Sequence, residues 1–299
     1  MFKLFLSLTV VCFSMTAEVK SSPESLSKEI FAENAKWIKL SSGHAGCEGT
    51  QWIVENGVPT LYYAAHHDRL AYKWTEDNGL KIWRSDSPEA TSFRPDGKGG
   101  YFVVEQTTRR LVRWNKEAQV SEILADNYEG KKLNRPNDCR VKSDQTVWFT
   151  DPAFLFNQRP QDKKELNAQY VFKYDLKTKK LSIAAKGFSN PNGIAFSPDE
   201  EHLYVGDSGT IYKWSLSQSG ELENKTVFAK GLKGLDGLSF DYQGRLWVCL
   251  KDSIKVMTQE GKTLGDVKTP GKPTSTDFSK EAKMVAITLR DAAYVLKMK

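Results

Sequence analysis

Residues 192–199 read NGIAFSPD, and after a short turn residues 203–205 read LYV. The same pattern returns at residues 236–244, which read DGLSFDYQG and are followed by LWV at residues 246–248. Each time a polar residue and an apolar residue lead into a turn and then into an aliphatic or aromatic run. Short strands and turns that recur with a period of roughly forty residues are typical of a β-propeller.

Six copies of this pattern can be aligned along the 299 residues of the chain. Their leading polar residues are Glu48, Glu89, Asn137, Asn192, Asp236 and Thr274. The steps between successive copies are 41, 48, 55, 44 and 38 residues. The pattern therefore predicts an all-β fold, a six-bladed β-propeller in which each copy supplies one blade.

The last copy is too short to complete a four-stranded blade. After Thr274 the chain has room for only two strands beyond the inner one. Residues 36–40, KWIKL, form a strand-like run ahead of the first copy. Because closed propellers commonly complete their last blade with a strand from the other terminus, we expect this N-terminal strand to close the last blade. The propeller is then predicted to occupy residues 29–299.

The N-terminus predicts export. A basic start, MFK, precedes an apolar run over residues 4–13 and small residues up to Ala17. This is the pattern of a signal peptide, predicted over residues 1–17 and followed by a flexible, polar leader over residues 18–28. The apolar run is too short to span a bilayer, so we expect a periplasmic or extracellular protein without a membrane span.

Composition indicates a soluble globular domain, with 39% hydrophobic and 11% aromatic residues. The net charge of +6 comes from dispersed residues, and basic doublets such as Arg109-Arg110 are short, so no nucleic-acid partner is predicted.

The cysteine content permits at most one disulfide, because only three cysteines remain once the signal peptide with Cys12 is removed: Cys47, Cys139 and Cys249. We interpret these three as small buried side chains on inner strands, with a bridge between Cys47 and Cys139 as the alternative. The oligomeric state is not indicated.

The register of the copies also predicts a site. Equivalent positions of a propeller face the same place, so the six leading residues should converge on one mouth of the central channel. Five of the six are Asp, Glu or Asn. Converging hard oxygen donors, without cysteine or histidine, suit a hard cation such as calcium better than zinc.

Residues 131–138, KKLNRPND, and residues 147–152, VWFTDP, closely resemble gluconolactonases of the SMP-30/gluconolactonase/luciferin-regenerating-enzyme family. The resemblance extends to Glu48-Gly49, to residues 190–193, NPNG, and to Asp236-Gly237. It covers nearly everything from about residue 36 to the end. It implies a six-bladed propeller that hydrolyses sugar lactones with one divalent cation at the channel mouth, usually calcium, with zinc, manganese or magnesium as alternatives.

The resemblance also implies roles for individual residues. Glu48, Asn192 and Asp236 would be the core metal ligands, and Asn137 would be a further ligand or a substrate contact. Arg135 would bind substrate, because its planar fork can hydrogen-bond a carbonyl or ring oxygen. Asp236 would have a second role as the general base that takes a proton from the attacking water.

Two departures from the family pattern bear on the substrate. Glu89-Ala90 stands where family members commonly have Asn-Gly, and the added carboxylate of Glu89, which we group with the substrate-binding residues, would strengthen the metal site or block a sugar hydroxyl. After Asp151-Pro152 the chain continues with Ala153-Phe154-Leu155 and a polar loop over residues 157–167. This loop either covers the site or is a neutral insertion.

Several other polar residues are left open by the sequence. The four histidines have no ligand spacing with one another, and His66 or His67 would either reach the pocket or take surface or hydrogen-bonded positions. Asp151, Asp207 and Glu105 end equivalent strands, where a pocket role and a turn cap are the alternatives.

The leading functional prediction is an exported, metal-dependent lactonase that hydrolyses sugar lactones such as gluconolactone. One alternative keeps the metal but acts on other esters or on phosphotriesters. Another is a non-catalytic exported propeller that binds sugar or protein and holds a structural calcium ion.

Overall fold

The computed structural model describes residues 16–17, 24–154, 156 and 162–299. These residues form six antiparallel sheets, which correspond to the six copies of the sequence pattern, and a small two-stranded ribbon. We number the sheets as blades 1 to 6 in the chain order of their inner strands. The predicted all-β, six-bladed propeller is confirmed.

Blades 1 to 5 are each built from four consecutive strands that pair in chain order. The N-terminal strands β1 (Thr16–Ala17) and β2 (Trp37–Ser42) come before them in the chain. Blade 1 comprises β3 (Cys47–Glu55), β4 (Val58–Ala65), β5 (Leu70–Thr75) and β6 (Gly79–Ser85). Blade 2 comprises β7 (Ala90–Pro95), β8 (Tyr101–Glu105), β9 (Arg110–Trp114) and β10 (Val120–Ala125). The ribbon β11 (Asn127–Tyr128) and β12 (Lys131–Lys132) follows.

The remaining blades repeat this arrangement. Blade 3 comprises β13 (Cys139–Lys142), β14 (Thr146–Asp151), β15 (Tyr170–Asp175) and β16 (Lys180–Ala185). Blade 4 comprises β17 (Pro191–Phe196), β18 (His202–Asp207), β19 (Thr210–Leu216) and β20 (Leu222–Lys230). Blade 5 comprises β21 (Leu238–Phe240), β22 (Leu246–Cys249), β23 (Ser253–Met257) and β24 (Thr263–Lys268). Blade 6 contains β25 (Pro273–Ser279), β26 (Met284–Leu289) and β27 (Ala292–Lys297).

Blade 6 is completed from the N-terminus. Strand β2 pairs antiparallel with β27, with Ile38 opposite Val295, and β1 pairs with the outer edge of β2. This confirms the predicted closure. It also removes the exposed edge that β27 would otherwise present.

The leader differs from the sequence-based expectation. Residues 24–28, part of the predicted flexible segment, belong to helix α1 (Glu24–Ile30), and Leu26 and Ile30 pack into the apolar cluster between blades 5 and 6. Two apolar residues four positions apart share one face of a helix, a signal that the polar composition of the segment hides. Of the predicted signal peptide, only Thr16–Ala17 falls within the described residues.

The second strand of each blade lies in the apolar core. Every residue of β8, β14 and β26 is buried, because each strand is covered by the neighbouring blades on both faces. The three described cysteines are buried and unpaired, as interpreted from the sequence, although Cys249 ends a second strand rather than lying on an inner one. Cys12 lies outside the described residues. No helix in the described part of the chain is long and apolar enough to cross a bilayer.

The glycine after a leading polar residue sets how closely inner strands approach. A Cβ atom on Gly193 would lie 2.5 Å from the carbonyl oxygen of Asp236, and one on Gly237 would lie 2.6 Å from that of Thr274. Real Cβ atoms do not come this close to backbone atoms, so only glycine fits at either position. The glycines therefore let the leading residues of adjacent blades come together at the channel mouth.

Candidate functional site

A cavity of about 490 Å³ opens at the mouth of the central channel. Five of the six leading residues of the sequence pattern line it: Glu48, Asn137, Asn192, Asp236 and Thr274. Each lies at or within two residues of the start of an inner strand. The structure thus brings five of the six leading residues to one cavity, whereas Glu89 is not among the described residues that line it.

The four predicted metal ligands form two contacts across the floor of the cavity. The amide nitrogen of Asn192 donates to Oδ1 of Asp236 at 2.9 Å, and that of Asn137 lies 3.5 Å from Oε2 of Glu48. The same four residues also line a smaller void of about 20 Å³, further along the channel and large enough for one water molecule or one ion.

Burial disfavours the ionised forms of the two carboxylates of this set, Glu48 and Asp236. Burial and the nearby Asp236 and Asp138 carboxylates raise the pKa of Glu48 well above its usual range. Burial raises the pKa of Asp236 to about 6, and the ammonium of Lys272 acts against this shift. A buried carboxylate pair of this kind is stabilised by a bound cation.

The donor set fits a hard cation. Among the described residues, no group of three or more His, Cys, Asp or Glu side chains is placed to hold a metal ion. A cation here would therefore depend on Glu48 and Asp236 together with the amide oxygens of Asn137 and Asn192. Carboxylate and amide oxygens are calcium ligands, whereas zinc prefers nitrogen and sulfur.

Two basic residues at this site escaped the sequence analysis. Lys272 places its Nζ atom 3.2 Å from Oδ2 of Asp236, and Arg290 lines the same cavity. Both belong to blade 6, in the loops that precede β25 and follow β26. Lys272 lies two residues before Thr274, so the register could have placed it near the mouth, but nothing in the repeated pattern distinguishes it from a solvent-exposed lysine.

Arg135 lies beside the cavity rather than on its wall. Its guanidinium is fully buried, with Nη2 donating to Oε2 of Glu89 at 2.7 Å and Nη1 donating to Asp162 at 3.2 Å. Since neither Arg135 nor Glu89 is among the described lining residues, the direct substrate contacts predicted for them do not follow from this geometry. The buried ion pair instead connects the second and third copies of the pattern.

Both histidines of the pair that the sequence left open reach the cavity. His66 and His67 line its wall, and their rings lie 3.9 Å apart. Nδ1 of His67 lies 3.3 Å from Oε1 of Glu89. In contrast, neither His44 nor His202 is among the described lining residues. His44 contacts Asp68, and His202 begins β18.

The other open carboxylates have structural roles. Asp207 accepts hydrogen bonds from the backbone of Ser189 and Asn190, which is the predicted turn cap. Glu105 is fully buried and accepts from Trp114 Nε1 and Arg110. Asp151 is also fully buried, accepts from the backbone N–H of Asn134, and is not among the described lining residues.

Part of the predicted loop over residues 157–167 can be described. Residues 157–161 lie outside the described residues, whereas Asp162 contacts Arg135 and the carbonyl of Lys163 accepts from Arg109. Just before the loop, Phe154 lines the cavity. The described part of this segment is therefore anchored beside the site.

Further along the channel, past the candidate ligands, charged side chains fill the space between the blades. Asp138 accepts from Arg140 at 2.6 Å and lies 3.4 Å from Arg94. Both arginines line the small void, together with Asp138. This network narrows the channel, so the larger cavity is the site with room for an organic ligand.

The chain is similar to a family of known proteins over most of its length. The family model described as SMP-30/Gluconolactonase/LRE-like region matches residues 47–289. A gluconolactonase from Zymomonas mobilis is 31% identical over 275 residues, with 83% of this chain and 74% of the relative covered. A 6-deoxy-6-sulfogluconolactonase from Pseudomonas putida is 28% identical over 193 residues, with 62% of each chain covered.

A solved structure agrees with the fold. A gluconolactonase from Xanthomonas campestris superposes with a TM-score of 0.86 at 26% identity, with 96% of this chain and 98% of the other covered. The similarity thus extends over the whole propeller.

Proposed function

Because this chain belongs to the SMP-30/gluconolactonase/LRE-like family, we propose that it hydrolyses sugar lactones with a divalent cation held at the channel mouth. The cation we propose is calcium, and the substrates are aldonolactones such as gluconolactone. The observation that supports this most strongly is the convergence of Glu48, Asn137, Asn192 and Asp236 on the floor of one cavity of about 490 Å³. A cavity of that volume is suited to a small organic molecule.

Hydrolysis of a lactone requires a nucleophilic water, stabilisation of the oxyanion and protonation of the leaving alkoxide. A divalent cation bound by Glu48, Asp236 and the two asparagines would polarise the lactone carbonyl and make a bound water more acidic. Asp236 is the base that takes the proton of the attacking water, since its buried carboxylate lines the cavity beside the proposed cation. The amide of Asn137 can donate to the oxygen on which charge develops.

Water attack opens the ring at the carbonyl carbon and leaves a hydroxy acid. No serine nucleophile is needed for this step, and the Gly-x-Ser-x-Gly elbow of serine hydrolases does not occur in the sequence. Lys272 and Arg290 bring positive charge to the same cavity. Their positive charges would stabilise the negative charge that develops in the transition state.

The test of this function combines activity with a binding measurement. The protein is treated with a chelator, and acid release from glucono-1,5-lactone is followed as calcium, zinc, manganese or magnesium is restored, with thermal unfolding recorded under each condition. We expect calcium to restore turnover and to raise the unfolding temperature, because a ligand that binds only the folded state stabilises it. Aromatic esters and organophosphates serve as the competing substrates.

Matched variants complete the test. Glu48→Gln and Asp236→Asn should lose both the calcium-dependent turnover and the calcium-dependent thermal shift. Glu223→Gln, a substitution of an exposed carboxylate on the outer strand β20, should retain both. Turnover that survives chelation and both site substitutions would refute the proposed mechanism.

We also propose that the protein is exported. The support is the apolar run over residues 4–13 behind a basic start, with small residues up to Ala17. Fractionation of the expressing cell, with N-terminal sequencing of the mature chain, tests this. A full-length chain retained in the cytosol would contradict it.

A further inference from the structure

Glu89, His67 and Arg135 form a connected chain of polar contacts beside the cavity. Oε1 of Glu89 lies 3.3 Å from Nδ1 of His67, and Oε2 accepts from Arg135 Nη2 at 2.7 Å and from the Thr107 hydroxyl at 2.7 Å. Glu89 is 5% exposed. When one oxygen of a buried carboxylate is fixed by hydrogen-bond donors, the other oxygen can hold an imidazole in one orientation.

The backbone of the first blade also fixes the position of this imidazole. The N–H of His66 donates to the carbonyl of Gly46 at 2.9 Å, and that of His67 donates to the carbonyl of Ala45 at 3.1 Å. A Cβ atom on Gly46 would lie 2.4 Å from Nε2 of His66 and 2.8 Å from Cδ2 of His67. Gly46 therefore leaves the space in which both rings pack against the chain at the cavity wall.

His67 is accessible from this wall. Its side chain is 39% exposed and lines the cavity that Asp236 lines from blade 5. With Nδ1 held by Glu89, Nε2 is the nitrogen that remains for a ligand in the cavity. Histidine is the side chain best suited to exchange a proton near neutral pH.

The proposed hydrolysis needs a second proton-transfer group. Asp236 contacts Asn192 and Lys272 and belongs to the cation site, and it receives the proton of the attacking water. The ring oxygen that leaves the carbonyl carbon is an alkoxide, a poor leaving group unless it is protonated as the bond breaks. His67 reaches the same cavity without contributing to the predicted cation site.

We propose that His67 is the general acid of the reaction, and that Glu89 is a positioning residue that acts through it. This inference rests on the proposed lactone hydrolysis. Water attacks the carbonyl carbon and gives one proton to Asp236, while the ring carbon–oxygen bond breaks and the alkoxide takes a proton from His67. The proton on Asp236 then returns to His67 through solvent, so one water is consumed and both groups are restored.

This proposal accounts for the departure of Glu89 from the family pattern. Arg135 is fully buried and needs a counter-charge, which Glu89 supplies together with the partly exposed Asp162. An asparagine at position 89 would not neutralise the guanidinium, and it would be a weaker partner for a protonated imidazole. The carboxylate thus serves the buried arginine and the exposed histidine together.

The test uses the leaving group to separate acid catalysis from structural support. Purified, calcium-loaded wild type and His67→Gln are compared on glucono-1,5-lactone, which leaves an alkoxide, and on dihydrocoumarin, an aryl lactone whose phenoxide needs little protonation. We expect kcat on gluconolactone to fall by about 10²–10⁴-fold with KM nearly unchanged, and turnover of the aryl lactone to fall much less. His202→Gln, at the start of β18 and away from the cavity, is the matched control and should behave as wild type.

The possible outcomes are distinguishable. A wild type that hydrolyses no lactone overturns the proposed function and this inference with it. If the wild type is active, an unchanged kcat in His67→Gln, a loss confined to KM, or an equal loss on both substrates overturns the assignment of His67 alone. Thermal unfolding of each variant identifies any loss of activity that arises from misfolding, and His67→Asn provides a second substitution at the same half-exposed position.

Discussion

Nη2 of Arg135 donates to Oε2 of Glu89 at 2.7 Å, and the two side chains are 0% and 6% exposed. The pair joins the start of the inner strand of blade 2 to the segment that leads into blade 3. Glu89 adopts this position with φ of 52°, which is uncommon for a residue other than glycine. Its surroundings thus hold Glu89 in a conformation that its own backbone does not favour.

Removal of one partner of this pair should destabilise the propeller strongly. Arg135→Met leaves the Glu89 carboxylate without its main counter-charge, and loss of one member of a buried ion pair costs about 3–5 kcal/mol. Urea unfolding of Arg135→Met, Glu89→Gln and the double variant measures this cost. We expect the double variant to lose much less than the sum of the two single variants, because neither Arg135 nor Glu89 is then left buried without its partner, and Asp162, the other partner of Arg135, is partly exposed.

The exposed pair of Arg69 and Asp86 provides the control. Nη2 of Arg69 lies 2.6 Å from Oδ1 of Asp86, which is about as close as in the buried pair, but the two side chains are 47% and 82% exposed. Arg69→Met should therefore cost under about 1 kcal/mol. Equal costs for Arg69→Met and Arg135→Met would contradict the importance of burial in this comparison.

Lys272 should weaken cation binding at the channel mouth. Its ammonium lies 3.2 Å from Oδ2 of Asp236, so it competes with a cation for the same carboxylate. Two unit charges about 4 Å apart interact by about 4 kcal/mol at an effective dielectric constant of 20, so loss of the like charge should tighten calcium binding by at least about tenfold.

Isothermal titration calorimetry with calcium compares Lys272→Met with wild type. Lys230→Met, at the exposed end of β20, is the matched control and should leave the affinity unchanged. A weaker affinity in Lys272→Met would mean that the lysine supports the site instead of competing for it.

The fold was predictable because its signal repeats. Six copies of a strand-and-turn pattern fix the number of blades, and the position of the leading residue within each copy fixes which side chains face the channel mouth. The short sixth copy even predicted that β2 closes blade 6. These properties depend on periodicity and on the alternation of strand residues, both of which are local in sequence.

The remaining features of the site depend on contacts between residues distant in sequence. Lys272 and Arg290 lie outside the repeated pattern, and their approach to the cavity follows from the closure of the propeller. The pairing of Glu89 with Arg135 links residues 46 positions apart, so neither its burial nor the contact with His67 could be derived from the register. Helix α1 was missed because two apolar side chains are a weak signal in a polar segment.

Gly237 should not tolerate a side chain. A Cβ atom there would lie 2.6 Å from the carbonyl oxygen of Thr274 and 3.1 Å from Cα of Ser275, so the backbone of β25 would have to move. Forced repacking of this kind costs about 1–3 kcal/mol. Because Asp236 precedes this glycine, Gly237→Ala should also weaken calcium binding, and chemical unfolding and calorimetry measure the two effects.

Gly271→Ala is the control for this substitution. Its added Cβ would meet Cδ1 of Leu289 at 3.1 Å, the end of a flexible side chain that can rotate away. We expect a cost below that of Gly237→Ala. A Gly237→Ala variant as stable as wild type would show that the inner strands can separate without loss of packing.

Asp151 should make the stability of the fold fall as pH rises from about 4 to about 7. Burial raises its pKa from 3.8 to about 7, against the opposing charge of Arg109 and hydrogen bonds from Asn134, and its Oδ1 has no hydrogen-bond partner among the described residues. The folded state thus binds a proton that the unfolded state releases in this range, and the free energy of unfolding decreases with rising pH. The shift of about three units corresponds to an effect on the order of 4 kcal/mol.

Asp151→Asn isolates this contribution, because the amide has nearly the same shape and does not ionise. The difference in unfolding free energy between the variant and wild type should be small at pH 4.5 and should grow in favour of the variant up to pH 8. Asp175→Asn is the control and should show no such trend between pH 4.5 and 8, since backbone N–H groups of Thr178 and Lys177 lower the pKa of Asp175 below its usual 3.8, and the stability linked to its ionisation is lost only below about pH 4. Guanidinium unfolding at pH 4.5, 6 and 8 measures both, and a pH-independent difference for Asp151→Asn would mean that Asp151 ionises as readily in the folded chain as in the unfolded one.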